Sequence, residues 1–112
     1  MTRRYALALD LADDPALIAE YERHHAHVWP AIEESLRATG IERLGIYRTG
    51  NRLFMVLEVS PAFSFDGKAA ADAADPRVQE WERLMWKYQR ALPWAKPGEK
   101  WVLMDRIYRW PS

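Results

Sequence analysis

Apolar and polar residues alternate at the start of the chain, with Tyr5, Leu7, Leu9 and Leu11 on one side and Ala6, Ala8 and Asp10 on the other. That two-residue period predicts a half-buried strand over 4–11. The period then lengthens. Asp14-Pro15 offers an N-cap followed by a proline suited to the first helical position, and helical spacing carries the apolar stripe on to Trp29. Pro30 biases Trp29 away from helical backbone. A kink or break is therefore predicted at Trp29-Pro30, freeing carbonyls beside His25, before a second helical pattern over 31–39 that stops at Gly40. The β-rich runs 41–48 and 52–59 flank Thr49-Gly50-Asn51 and predict an antiparallel hairpin. Residues 61–74 begin as a loop and turn alanine-rich, which suits a short helix or ordered crossover. Asp75-Pro76 opens a long amphipathic helix whose stripe is Val78, Trp81, Leu84, Met85, Tyr88 and Leu92, ended by Pro93. A last strand over 100–110 is apolar on both faces.

The resulting order, βαββαβ, predicts an α+β domain of the ferredoxin-like kind, with helices covering one face of an antiparallel sheet. The other face is not polar. Alanines at 6 and 8 and the large side chains of the last strand imply that it is covered, and a second copy of so small a domain is the simplest cover. A homodimer with sheets packed face to face is the expectation.

The whole chain, residues 1–112, is sized for one domain, and 49% hydrophobic residues suffice for a modest core. Lys plus Arg balances Asp plus Glu at 16 each. No net field recruits nucleic acid or an anionic membrane, so a small neutral ligand is the better expectation. The absence of cysteine removes disulfides, thiolate metal sites and a thiol nucleophile. No segment is long enough to span a bilayer, and Asp10, Asp13 and Asp14 interrupt any leader-like apolar run, so the protein is expected to be cytoplasmic.

The chemistry concentrates in Tyr21-Glu22-Arg23-His24-His25-Ala26-His27-Val28-Trp29-Pro30. Tyr21, His25 and Trp29 are four apart and share a helical face, at about 100° per residue. Of the three histidines only His25 is aimed inward. Pattern alone favours a hydrogen-bonded core histidine over a proton-transfer group tuned by its apolar surroundings. A metal site built on His24, His25 and His27 is disfavoured because His25 points elsewhere and no cysteine or further histidine completes the set. No phosphate loop, nucleophile elbow or dinucleotide fingerprint is present, so no cofactor is expected. Trp86 lies off the stripe of the second long helix and is either covered by another segment or a platform for a ligand face. Six tryptophans with scattered acids and arginines suit a sugar, whose CH face stacks while its hydroxyls take hydrogen bonds.

These residues carry a resemblance to the L-rhamnose mutarotase family over nearly the full length. The motif is tyrosine, three residues, histidine, three residues, Trp-Pro, present as Tyr21, His25 and Trp29-Pro30; Ile46-Tyr47, the strand from Phe54 to Glu58, and Trp86-Lys87-Tyr88 also match. The resemblance implies a dimeric α/β barrel and an isomerase that interconverts the α and β anomers of a 6-deoxy-L-sugar without a cofactor. It implies His25 as the proton donor, with Tyr21 and Trp86 lining the sugar. Tyr47 and Trp29 belong to matched segments and Met85 stands beside the matched Trp86; all three are further candidates for substrate contacts. Two departures stand out: Leu44, where the rhamnose enzymes show a tyrosine, and Met85-Trp86, where they show tandem tryptophans. The Tyr-Glu-Arg-aromatic-His opening with a Met-Trp pair looks like the L-fucose branch, so L-fucose is expected over L-rhamnose.

In this scheme His25 protonates the ring oxygen, while Tyr21 orients it or relays the second proton. Asp105, Glu58 or a carbonyl near Trp29-Pro30 are the candidate bases. Two alternatives share the expected fold: a cofactor-independent monooxygenase-like enzyme for planar aromatic substrates, and a non-catalytic sugar-binding module.

Overall fold

The computed structural model describes residues 3–111. Strand β1 (Arg3–Leu11) lies at the centre of an antiparallel sheet. Along one edge it pairs with β3 (Arg52–Val59) from Arg3↔Val59 to Asp10↔Arg52, and β3 in turn pairs with β2 (Ile41–Thr49). Gly50, at φ 55, turns the β2–β3 hairpin in a left-handed conformation that favours glycine. The far edge of β1 holds two short strands, β4 (Gln89–Arg90) and β5 (Val102–Leu103). The helices are α1 (Pro15–Ala26), α2 (Pro30–Ala38), α3 (Phe65–Ala74) and α4 (Pro76–Trp86). The α+β architecture expected from the sequence is the one observed.

Local chemistry explains the helix starts. The Asp14 carboxylate accepts from the N–H groups of Ala16 and Leu17, and Pro15 occupies the first turn. Ser64 and Asp75 cap α3 and α4 in the same way, through Gly67 N–H and Arg77 N–H. Trp29 precedes α2 in extended backbone, φ −60 and ψ 136, as a residue before proline should.

Three boundaries differ from the sequence expectation. Helix α1 ends at Ala26, so the break falls before Trp29, and the Trp29 carbonyl is not free: it accepts from the N–H groups of Ile32 and Glu33. Helix α4 ends at Trp86, well before Pro93, because the edge of β1 offers unpaired backbone that Gln89 and Arg90 satisfy, and Ala12 N–H bonds the Tyr88 carbonyl at 2.8 Å. The last strand is short. Only Val102 and Leu103 pair with β1, followed by Met104 N–H to the Ala6 carbonyl, and residues 105–111 leave the sheet. A single chain has nothing to cover both apolar faces of that segment, and Ile107, Tyr108 and Trp110 are exposed.

The core lies between the helices and the inner sheet face. One cluster gathers Leu11, Tyr21, Leu53, Trp81, Met85 and Tyr88, and another Leu7, Leu57, Val59 and Phe63, with Trp101 packed against both. Among the described residues, no helix is long and apolar enough to cross a membrane.

Candidate active site

Between the two core clusters is a cavity of about 380 Å³. Its floor is the inner face of the sheet, including Leu7, Leu57 and Ile46, and helices α1 to α4 enclose it from above. A bulge between Ile41 and Arg43 shifts the alternation of β2, so Ile41 and Leu44 both face inward. The walls are mostly aliphatic and aromatic. Into them are set a few polar groups: His25, the Tyr21 hydroxyl, Gln89, Glu82 with Lys100, and a Ser35–Lys68–Asp72 cluster.

His25 is half-buried, and its Nδ1 lies 3.0 Å from the Tyr21 carbonyl oxygen, one turn back in α1. A carbonyl only accepts, so Nδ1 carries the hydrogen and Nε2 is the nitrogen left for proton transfer. Two aromatic contacts fix the ring. It is tilted on Tyr21 at 4.5 Å and meets Trp81 edge to face at 5.8 Å, and Trp81 is backed by Trp29 at 5.0 Å. Trp29 thus props the partner of His25 and does not itself line the cavity.

Tyr21 is 3% exposed. Burial pushes its phenol up to about 12; the amide of Gln89, which donates to the hydroxyl, works in the opposite direction, and the Glu82 charge adds to the rise. Tyr21 therefore remains a phenol at neutral pH and acts as a hydrogen-bonding group, not as a base. Met85, from α4, is fully packed and contributes to the same wall.

Other sequence candidates lie outside this cavity. Tyr47 follows Ile46 by one strand position and is placed on the opposite sheet face, 64% exposed, its ring lying over Gly45; it borders a separate, more open recess that Tyr21 and His25 also line. Trp86 faces outward from α4, and the Lys100 ammonium sits 4.9 Å above its ring. It does not line the cavity itself; Lys100, which does, bridges to the Glu82 carboxylate. The candidate bases are also displaced. Glu58 is on the outer face, paired with Arg4 at 3.3 Å, and Asp105 is exposed beyond β5. His24 is used elsewhere: Tyr88 donates its hydrogen to Glu20 at 2.7 Å, so it must accept from His24 Nε2 at 3.0 Å, and His27 is exposed.

Sequence reasoning passed over every polar group of the wall besides His25 and Tyr21. Glu82 is four residues after Val78 and three before Met85, on the inner stripe of α4, and a charge on an apolar stripe was a visible signal. Gln89 gave none, because its inward placement depends on the unexpected strand β4. The Ser35–Lys68–Asp72 cluster is internally satisfied, with Lys68 Nζ 2.7 Å from Asp72 and Ser35 Oγ donating to the same carboxylate oxygen at 3.0 Å. Glu82 differs. Lys100 holds one carboxylate oxygen, while Oε1 has no hydrogen-bond partner among the described residues.

Fold and cavity together define a small α+β domain with a half-open, largely apolar cavity between an antiparallel sheet and its helices, into which a few polar groups are set. The family model of L-rhamnose mutarotase matches residues 4–110, and the chain belongs to that family. It is 50% identical to the L-fucose mutarotase of Xanthomonas campestris pv. campestris over 108 residues, covering 95% of this chain and 86% of that one. It is 33% identical to the L-rhamnose mutarotase of Acidiphilium cryptum over 93 residues, covering 81% and 86%. The solved L-rhamnose mutarotase of Formosa agariphila shares the fold at a TM-score of 0.71 and 18% identity, over 96% of this chain and 97% of that chain. Tetracenomycin F2 cyclase of Streptomyces glaucescens shares it more distantly, at a TM-score of 0.57 and 20% identity, with 98% of both chains covered.

Proposed function

We propose that the protein interconverts the α and β anomers of a 6-deoxy-L-hexose, L-fucose in preference to L-rhamnose, by acid–base catalysis at His25. The observation that carries the reaction is the geometry of His25: one nitrogen pinned to a carbonyl, the ring held between Tyr21 and Trp81, and the residue lining the cavity. As the imidazolium, His25 gives its Nε2 proton to the ring oxygen as the bond from that oxygen to the anomeric carbon breaks. Glu82 takes the proton of the anomeric hydroxyl, and an open-chain aldehyde results. Rotation about the bond next to the aldehyde presents its other face. Reclosure returns both protons to their sources, so nothing is consumed.

Mutarotation already proceeds without a catalyst. A sugar held among aromatic walls with an acid and a base in place needs only modest further help. Tyr21, un-ionised at neutral pH, holds a sugar hydroxyl and keeps the helix turn beneath His25 in register.

Support for L-fucose comes from two directions. The L-fucose mutarotase of Xanthomonas is half identical to this chain. Both positions that depart from the rhamnose pattern, Leu44 and Met85, line the cavity, where they change its shape without removing His25 or Tyr21. L-fucose and L-rhamnose differ at carbons 2 and 4, where the walls and the polar groups set into them read the difference. The outer sheet face, with Ala6, Phe54 and Val56 between the Arg4–Glu58 and Arg52–Asp10 pairs, supports a face-to-face homodimer, as do the exposed apolar residues beyond β5.

The test is magnetisation-exchange NMR on equilibrated L-fucose, L-rhamnose and D-galactose. Faster exchange for the two 6-deoxy-L-sugars, L-fucose fastest, is expected. Exchange no faster than in buffer would rule out the mutarotase, and binding without acceleration would identify a sugar-binding module instead.

A further inference from the structure

Gln89 is 3% exposed, and its side-chain Oε1 is buried with no hydrogen-bond partner among the described residues. That is unusual for a buried amide, because an unpaired acceptor away from water carries a desolvation penalty that nothing offsets. Its location gives the unmet bond a meaning. Strand β4 pairs Gln89 with Leu11 at the edge of β1, which turns the side chain toward the cavity that it lines together with Tyr21, Met85 and Trp81.

The other end of the amide is occupied. Gln89 Nε2 donates to the Tyr21 hydroxyl oxygen at 3.2 Å. The phenol's own hydrogen therefore points to some other acceptor, and no protein group takes it among the described residues. Side by side, the two residues present an unused acceptor and an unused donor. A sugar hydroxyl is both at once: it can donate to Gln89 Oε1 while accepting from Tyr21. The remaining polar groups of the wall are differently engaged, Asp72 by Lys68 and Ser35 and Glu82 by Lys100.

We propose that Gln89 is a specificity-determining residue: its Oε1, together with the Tyr21 hydroxyl, binds one ring hydroxyl of the sugar other than the anomeric one. This rests on the mutarotase reading, but it adds a contact that the reading does not need. Strand β4 becomes part of the site, and the amide sets which hydroxyl must be present and on which face of the ring. An analogue lacking that hydroxyl leaves the buried pair unpaired and is rejected, whereas a mere change of wall shape discriminates weakly.

The experiment measures anomer-exchange rates against concentration for L-fucose and for its 2-, 3- and 4-deoxy analogues, with wild type and with Gln89→Met, which keeps length and burial but removes the amide. With wild type, one analogue should lose roughly 10- to 100-fold in kcat/KM, mainly through KM because the hydroxyl is held in ground and transition state alike. Gln89→Met should lose a similar factor with L-fucose and nothing further with that same analogue. Equal losses for all four sugars would mark Gln89 as merely structural and overturn the proposal. So would wild-type rates indifferent to every deoxygenation, a result that does not depend on the variant folding. If wild type accelerates exchange for none of the sugars, the mutarotase reading itself falls, and this inference with it.

Discussion

Replacing Trp81 tests whether the aromatic stack is what holds the site together. The ring is 7% exposed and meets His25 edge to face at 5.8 Å and Trp29 at 5.0 Å. Aromatic pairs of this geometry are worth about 0.5–1.5 kcal/mol each beyond their burial, so two contribute about 1–3 kcal/mol. Trp81→Ala would add a large cavity and cost about 3–5 kcal/mol, a heavy fraction of the roughly 5–15 kcal/mol that keeps a domain folded. Trp81→Leu is the more informative variant, because it keeps much of the apolar contact and removes both ring edges. We expect it to lose about 1–3 kcal/mol in urea unfolding, with an unchanged denaturant slope, and to slow anomer exchange because His25 loses one of its two supports. A urea midpoint equivalent to wild type within about 0.5 kcal/mol, the scatter typical of neutral substitutions, would refute the reasoning.

Glu82→Gln keeps the shape of the side chain but cannot take a proton, so kcat should fall about 10²- to 10³-fold with KM little changed; retained kcat would remove Glu82 as the base. Alkali should weaken the fold. The Tyr21 phenol stands at about 12 in the folded protein against about 10 in an unfolded chain, so the unfolded state loses its proton first. The stabilisation is full below pH about 10 and is lost as pH rises through about 12, amounting to about 2–3 kcal/mol for Tyr21, with Tyr88 acting in the same direction because burial and its bond to Glu20 also push it up to about 12. Urea unfolding across that range, beside phenolate absorbance, should show the decline, and Tyr21→Phe should flatten it; stability that rises toward pH 12 would contradict the assignment.

Most of the fold was legible because it rests on local signals. Alternation marked β1, Thr49-Gly50-Asn51 marked the hairpin, and Asp14-Pro15 and Asp75-Pro76 marked helix starts that the structure caps as expected. What escaped was decided by tertiary pairing. The stripe through Tyr88 and Leu92 fits a longer α4, yet the open edge of β1 captures Gln89 and Arg90 instead. The segment beyond Leu103 has strand composition and lacks a partner within one chain. The site divides in the same way. Tyr21, His25 and Met85 were readable from helical spacing and resemblance, and the cavity brings them together. Tyr47 does not line that cavity because strand alternation, with Ile46 inward, sends the next side chain to the other face, where it borders a second recess shared with Tyr21 and His25. Trp86 lies outside the cavity wall, beneath Lys100. Gln89 could not be found without β4, whereas Glu82 could have been.

The most direct measurement of His25 as the acid is the rate of L-fucose anomer exchange for wild type, His25→Ala and His25→Gln under identical conditions. Both variants should bind the sugar, as read by quenching of tryptophan fluorescence, and both should drop toward the uncatalysed rate, a loss of about 10²- to 10⁴-fold in the catalysed term. Full activity in His25→Ala would contradict the mechanism outright and move the search for the acid to the other polar groups of the cavity.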